Sequence, residues 1–134
     1  GVKVRFNQNP TQNPTLPAAP INVRDVIISL DNLKKDLKQK FKKLTKQEML
    51  VFSTIYQLEE ESFLVDYPLI SKKLSLTESS IRDYTQRIIR KGIPLIKSKE
   101  NNKKILLSIS PDLKKIASLT TILQLREAKF RLND

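Results

Sequence analysis

Two arginines and a glutamine recur at helical spacing in the segment SSIRDYTQRIIRKGI, residues 79–93. Arg82, Gln86 and Arg87 are separated by four residues and by one, so on a helix they share one face. Arginine can bind guanine through two hydrogen bonds, glutamine can bind adenine in the same way, and all three side chains can bind phosphate. The segment therefore predicts a helix that contacts nucleic acid.

The opposite face of that helix is apolar. Ile81, Tyr84 and Ile88 recur three and four residues apart with Ile89 beside them, so we expect this face to pack on a core. Asp83 is unfavourable beside phosphate, and we expect it to pair with a neighbouring arginine or to accept from cytosine. The polar side chains left to face a partner are Ser79, Ser80, Arg82, Asp83, Gln86, Arg87 and Arg90.

Each of these residues also has an explanation without DNA. Arg87, Arg90 and Lys91 are favourable near a helix C-terminus whatever the function, because they interact with its carbonyl end. Ser79 and Ser80 would satisfy amides of the first helical turn. Both interpretations stay open at the level of sequence.

The charge of the chain is concentrated in the half that contains this segment. The 134 residues carry a net charge of +11. Residues 1–66 have 10 Lys and Arg against 8 Asp and Glu, whereas residues 67–134 have 15 against 6, a net charge of +9. Such a balance suits a polyanion, with nucleic acid foremost, and a lysine-rich solubilising surface is the alternative.

Composition excludes several classes of site. The chain has no Cys and no His, which removes disulfides, Cys/His zinc sites and imidazole-based triads. With two Gly and no phosphate-binding loop, we expect no enzyme, no cofactor and no metal, and an exposed acidic corner at residues 59–61. No apolar run approaches the ~18 residues of a membrane span, so we expect no membrane partner and a cytoplasmic or nucleoid-associated location.

The N-terminal part divides into an arm and a helix. Residues 1–22 are rich in Pro, Asn and Gln and predict an extended arm or linker. Such an arm could join this domain to the remainder of a longer chain on its N-terminal side, and we consider that remainder as one partner. Residues 23–43 predict an amphipathic helix with an apolar stripe. This helix either packs on its own domain or pairs two subunits.

Caps and turns divide the middle of the chain into short elements. We predict helices over residues 46–60, 67–74 and 78–91 and a short strand over residues 63–67. Thr45 and Glu48 form the pattern of a capping box, and Asp66 and Thr77 are placed to cap the next two helices. Gly92 follows at the position where a left-handed residue ends a helix.

Two β-rich runs and a final helix complete the chain. Residues 94–99 and 103–109 flank a polar turn and predict a hairpin. Ser110 and Pro111 open a last helix, which we expect to run to about Arg131. The candidate DNA contacts outside helix 78–91 are Lys72, Lys73, Thr77, Lys97, Lys99, Lys103 and Lys104.

The segment from Thr45 to Ile109 resembles a winged helix-turn-helix and is most similar to the MarR-like and related repressor-type versions. The matching residues are Leu44-Thr45 with Glu48, Ile70-Ser71 to Leu74, Leu76-Thr77 with Ser79-Ser80-Ile81, and Ile88 to Gly92-Ile93. The expected fold is mainly α with a small β-hairpin wing, in which residues 44–110 form the winged helix-turn-helix between a flanking helix and a C-terminal helix over residues 111–134.

The resemblance implies a dimeric regulator of transcription that binds double-stranded DNA through helix 78–91, with the hairpin as its wing. The flanking and C-terminal helices would then form the homodimer through Val26, Leu30, Leu33, Leu37, Ile116, Leu119 and Leu123. Two alternatives stay open. The chain is either a winged-helix module of a larger replication, segregation, plasmid or viral protein, or a protein-interaction domain that does not touch DNA.

Overall fold

The computed structural model describes residues 22–100 and 104–128. The described residues are mainly helical with one small antiparallel sheet, which confirms the expected fold class. In chain order the elements are α1 (Val23–Lys42), α2 (Lys46–Glu60), β1 (Val65–Asp66), α3 (Tyr67–Leu74), α4 (Glu78–Arg90), β2 (Leu95–Glu100), β3 (Lys104–Ile109), α5 (Pro111–Ile116) and α6 (Leu119–Glu127). Nearly all of the predicted arm, the turn of the hairpin and the predicted end of the last helix lie outside the described residues.

The chain divides into two compact units, Gly1–Leu33 and Lys34–Asp134, and α1 contributes to both. In the first unit, Asn22 begins α1, because its side-chain oxygen accepts from the Arg24 N–H at 2.9 Å. All described residues of this unit are exposed. Its exposed large apolar side chains are Val23, Val26, Ile27, Ile28, Leu30 and Leu33.

In the second unit, the end of α1 packs into a core built around α2. Leu37 and Phe41 of α1 are buried, and the Phe41 ring meets that of Phe52 edge-on, with centroids 4.9 Å apart. The predicted apolar stripe of α1 is therefore buried only over its C-terminal part. Helix α2 begins at the predicted capping box: the Thr45 hydroxyl accepts from the Glu48 N–H at 3.1 Å, and the Glu48 carboxylate accepts from the Thr45 N–H at 3.0 Å.

The strands form one three-stranded antiparallel sheet in the order β1-β3-β2. Strands β2 and β3 pair from Leu95 opposite Ile109 to Glu100 opposite Lys104, as the sequence predicts. The short strand β1 adds to the other side of β3, with Val65 opposite Leu107. These four apolar side chains are buried, so the base of the hairpin belongs to the core.

The prediction of one continuous helix after the wing is wrong. The backbone is extended at Ala117 (φ −150°, ψ 134°), which separates α5 from α6. Two contacts explain the break. The Ser118 hydroxyl accepts from the Thr121 N–H at 3.2 Å and starts a new helix, and the Tyr56 hydroxyl donates to the Ala117 carbonyl at 3.3 Å. The apolar periodicity continues across this break, which is why the pattern alone predicts a single helix.

Candidate nucleic-acid interface

A short turn sets α4 against α3. Asp66 accepts from the Leu69 N–H at 2.9 Å and starts α3, as predicted. Helix α3 ends at Ser75, which has a left-handed conformation (φ 55°, ψ 44°). The Thr77 hydroxyl then accepts from the Ser80 N–H at 3.1 Å and starts α4, which confirms the predicted cap. The two helices are thus joined through the three residues from Ser75 to Thr77.

The buried face of α4 differs in one residue from the expected one. Ile81 and Ile88 are completely buried, but the third such position is Thr85, while Tyr84 and Ile89 are half-buried. The Thr85 hydroxyl donates to the Arg82 carbonyl at 2.9 Å. A threonine that satisfies its hydroxyl within its own helix can be buried, so a search for apolar residues alone misses it.

The outer face of α4 carries the predicted polar residues. Ser80 is half-buried, and its hydroxyl accepts from that of Thr77 at 2.9 Å, so both side chains take part in the helix cap. The exposed side chains on this face are Ser79, Arg82, Asp83, Gln86, Arg87 and Arg90.

Weak surface contacts hold the two central arginines. The Arg82 guanidinium lies 5.0 Å from the centroid of the Tyr67 ring and 3.8 Å from the Glu78 carboxylate. The Arg87 guanidinium lies 5.7 Å from the centroid of the Tyr84 ring. Exposed pairs of this kind contribute about 0–1 kcal/mol, so a phosphate or a base would displace them at small cost.

Asp83 does not make the salt bridge expected of it. It is exposed, and among the described residues it forms no ion pair with a neighbouring arginine. Glu78, four residues before Arg82, pairs with that arginine, and the guanidinium of Arg87 lies over an aromatic ring. The longer glutamate, four residues before Arg82, is better placed than Asp83 to pair with that arginine.

The basic residues outside α4 are spread over α3 and both faces of the wing. Lys72 and Lys73 are exposed on the last turn of α3. Lys97 and Lys99 lie on the same face of β2 as Leu95, whereas Lys104 lies on the other face of the sheet, 3.4 Å from the Asp66 carboxylate. The remaining candidate, Lys103, lies outside the described residues.

A cleft brings a wing lysine and a helix arginine together. It has a volume of about 280 Å³ and lies where the start of α3, the start of α4 and β3 meet. Arg82 and Lys104 both line it, each beside its carboxylate partner. Asp66 and Glu78 also line the cleft, so it carries two charges of each sign and no net positive charge.

A buried ion pair that the sequence does not reveal connects α4 with α2. The Lys91 ammonium contacts the Glu48 carboxylate at 2.5 Å and the Lys43 carbonyl at 2.9 Å. The Glu48 side chain is 2% exposed and that of Lys91 30%. Burial raises the pKa of Glu48, but the hydrogen bonds from Lys91 and from the Thr45 backbone, with the charges of Lys91 and Arg87, outweigh burial and hold it below its ordinary value of 4.5.

This depressed pKa predicts a specific acid sensitivity. Since the unfolded chain takes up the Glu48 proton at higher pH than the folded chain, the stabilisation is complete above about pH 4.5 and is lost as the pH falls through the folded-state pKa. We therefore expect the unfolding free energy to fall more steeply below pH 4.5 than it does in Glu48→Gln. Urea unfolding of both proteins across this range measures the difference, and parallel curves would contradict the assignment.

The acidic residues at the end of α2 have structural partners. Glu59 accepts from the Ile109 N–H at 2.9 Å and from the Lys114 ammonium at 2.9 Å, and Glu60 lies 3.6 Å from the same ammonium. Burial lowers the pKa of Lys114, but these two carboxylates more than compensate and raise it above its ordinary value. Glu59 thus connects α2 to the base of the wing, and Glu59 and Glu60 connect α2 to α5.

Within residues 22–100 and 104–128, no acidic residues gather in a group of three or more that could hold a metal ion. No helix in the same ranges combines the length and the apolar character of a membrane span.

Comparison with known proteins identifies the fold. No protein-family model matches the sequence, and no curated protein matches it. Among solved structures, MepR, a transcription regulator of the Staphylococcus aureus multidrug efflux pump MepA, has a TM-score of 0.50 at 12% identity, over 78% of this chain and 73% of its own. MepR from S. aureus in a DNA complex has a TM-score of 0.50 at 14% identity, over 83% and 90% of the two chains. The chain therefore shares the winged helix-turn-helix fold of MepR, which is the fold that the sequence predicts.

Proposed function

We propose that this chain is a DNA-binding regulator of transcription, with α4 as the recognition helix in the major groove and the β2–β3 hairpin as the wing beside it. The observation that carries the proposal is the outer face of α4. Arg82, Gln86 and Arg87 are exposed on a helix whose opposite face is fixed to the core through Ile81 and Ile88. Such a helix can enter a groove while its other face remains packed.

Charge and fold support the same function. The half of the chain that contains α4 and the wing has a net charge of +9. MepR, which has the same fold, has been solved bound to DNA. A Lys-rich solubilising surface would not by itself explain arginines and a glutamine on the outer face of α4.

We further propose that the regulator acts as a homodimer. Val26, Leu30 and Leu33 are exposed along α1, and Ile116 and Leu123 are exposed on α5 and α6. On α1, Val26, Leu30 and Leu33 recur four and three residues apart and so form an exposed apolar stripe, which favours the pairing of helices. Of the other two candidates, Leu37 is buried in the core and Leu119 packs against it, so we assign neither to the pairing surface.

Selection of bound DNA from a random pool, followed by a salt titration, tests the proposal. We expect an enriched inverted repeat and a plot of log affinity against log salt with a slope steeper than about −4, because each phosphate contact releases a counterion. Sizing of the free protein should give twice the mass of the chain. Salt-sensitive binding without an enriched sequence would favour a non-specific module of a larger protein, and no DNA affinity would favour a protein-interaction domain.

A further inference from the structure

The C-terminal end of α4 is attached to the start of α2 by one charged side chain. Lys91, which caps α4, contacts both the Glu48 carboxylate and the Lys43 carbonyl. That carboxylate is itself held by the Thr45 N–H at 3.0 Å, as part of the capping box. The otherwise flexible lysine is therefore bound to a partner whose position is already set by α2.

The last turn of α1 lies beside the same end of α4. A Cβ placed on Gly92 would lie 3.8 Å from Cε of Lys40, so the lysine stem packs beside this glycine. The turn also accepts a hydrogen bond at the Phe41 carbonyl from Arg126 of α6, at 3.1 Å. Cations are favourable at the carbonyl end of a helix. Lys91 and Arg126 thus connect the end of α1 to α4 and to α6.

We propose that Lys91 is a positioning residue that sets the orientation of α4 relative to α1 and α2. This inference rests on the proposed function, in which α4 reads DNA. The apolar contacts of Ile81 and Ile88 hold α4 to the core, but such contacts have no preferred direction. A charge-assisted hydrogen bond to a fixed carboxylate does have one. Because base contacts require placement within about 0.5 Å, a helix without this bond would present Arg82 and Arg87 poorly.

The adjacent basic residues Arg90 and Lys91 therefore have different roles. Arg90 is exposed, on the face that carries the DNA candidates, whereas Lys91 points to the buried carboxylate of Glu48. A buried ion pair adds little stability compared with an uncharged pair of similar size. Removing both charges together should therefore preserve the fold while it removes the directional contact.

The test is the double variant Lys91→Met/Glu48→Gln, in which the amide can still accept from the Thr45 N–H and the net charge is unchanged. We expect affinity for the selected DNA to fall about tenfold, the equivalent of one base contact, while affinity for a random duplex stays within about twofold. The matched control is Asp112→Asn/Lys115→Met, which also preserves net charge on two exposed residues of α5 and should leave both affinities unchanged. The single variant Lys91→Arg keeps a cation beside Glu48 and should retain most of the affinity for the selected DNA.

The ratio of the two affinities separates positioning from folding, because a smaller folded fraction lowers both equally. If the double variant unfolds, Lys91→Gln is the second variant to measure, because it keeps a hydrogen-bond donor without the charge. It should also lower the ratio of selected-DNA affinity to random-duplex affinity. An unchanged ratio in a folded variant, with normal binding by the unaltered protein, would overturn this inference alone. Failure of the unaltered protein to bind any selected DNA would overturn the proposed function and this inference with it.

Discussion

Replacing Arg82 and Arg87 together by glutamate is expected to lower affinity for the selected DNA about a thousandfold. Each arginine that pairs with a base contributes about 1–3 kcal/mol, and each new carboxylate adds repulsion from the phosphates. Both guanidinium groups are exposed and held by contacts that a DNA group can displace. Fluorescence anisotropy with a labelled duplex at constant salt measures the loss.

A matched reversal elsewhere separates this effect from net charge. Lys34→Glu/Lys115→Glu changes the charge by the same amount on exposed residues of α1 and α5. Salt screens charges beyond about 10 Å at 0.1 M, so we expect this control to lose about tenfold or less. Because Arg87 helps to lower the pKa of Glu48, circular dichroism and thermal unfolding must accompany both variants. Equal losses in the two variants would mean that α4 does not carry the binding.

Replacing Glu48 by alanine is expected to reduce the free energy of unfolding by about 3 kcal/mol. The change leaves a cavity at a residue that is 1% exposed, removes the acceptor of the Thr45 N–H and deprives Lys91 of its carboxylate. Lys91 is partly exposed and can still bind water, so we expect the lower end of the range for a broken buried pair. Urea unfolding at neutral pH measures the loss.

Glu78→Ala is the control for this substitution. Glu78 also lies in the first turn of a helix, but it is exposed and its ion pair with Arg82 is at the surface. We expect a loss of about 0.5 kcal/mol there. Similar losses at the two glutamates would show that the buried network around Glu48 contributes no more than an ordinary surface carboxylate.

Local rules explain why much of the candidate interface could be predicted. The caps at Thr45, Asp66 and Thr77 depend on contacts within three residues, and all three form as the sequence indicates. The division of α4 into a buried and an exposed face follows from helical periodicity. The exception, Thr85, is buried because its hydroxyl bonds to the carbonyl of Arg82 in the same helix.

Contacts between distant residues explain what could not be predicted. In sequence, Arg90 and Lys91 are two basic residues at a helix end, and only the approach of α2 gives Lys91 a buried partner. The pairing of β1 with β3 likewise joins residues about forty positions apart, which no local pattern specifies. Ser118 is a local signal for the start of a new helix, since serine is a preferred N-cap. The apolar periodicity that continues through it nevertheless favours a single helix.

Methylation interference on the selected DNA tests the placement of α4 most directly. N7 of guanine faces the major groove, whereas N3 of adenine faces the minor groove. In a dimer, the two copies of α4 would enter successive major grooves. Methylation of guanine N7 should then block binding at two clusters of guanines about one helical turn apart. Normal binding to DNA methylated at guanine N7, with interference confined to adenine N3, would contradict the proposed mode of binding.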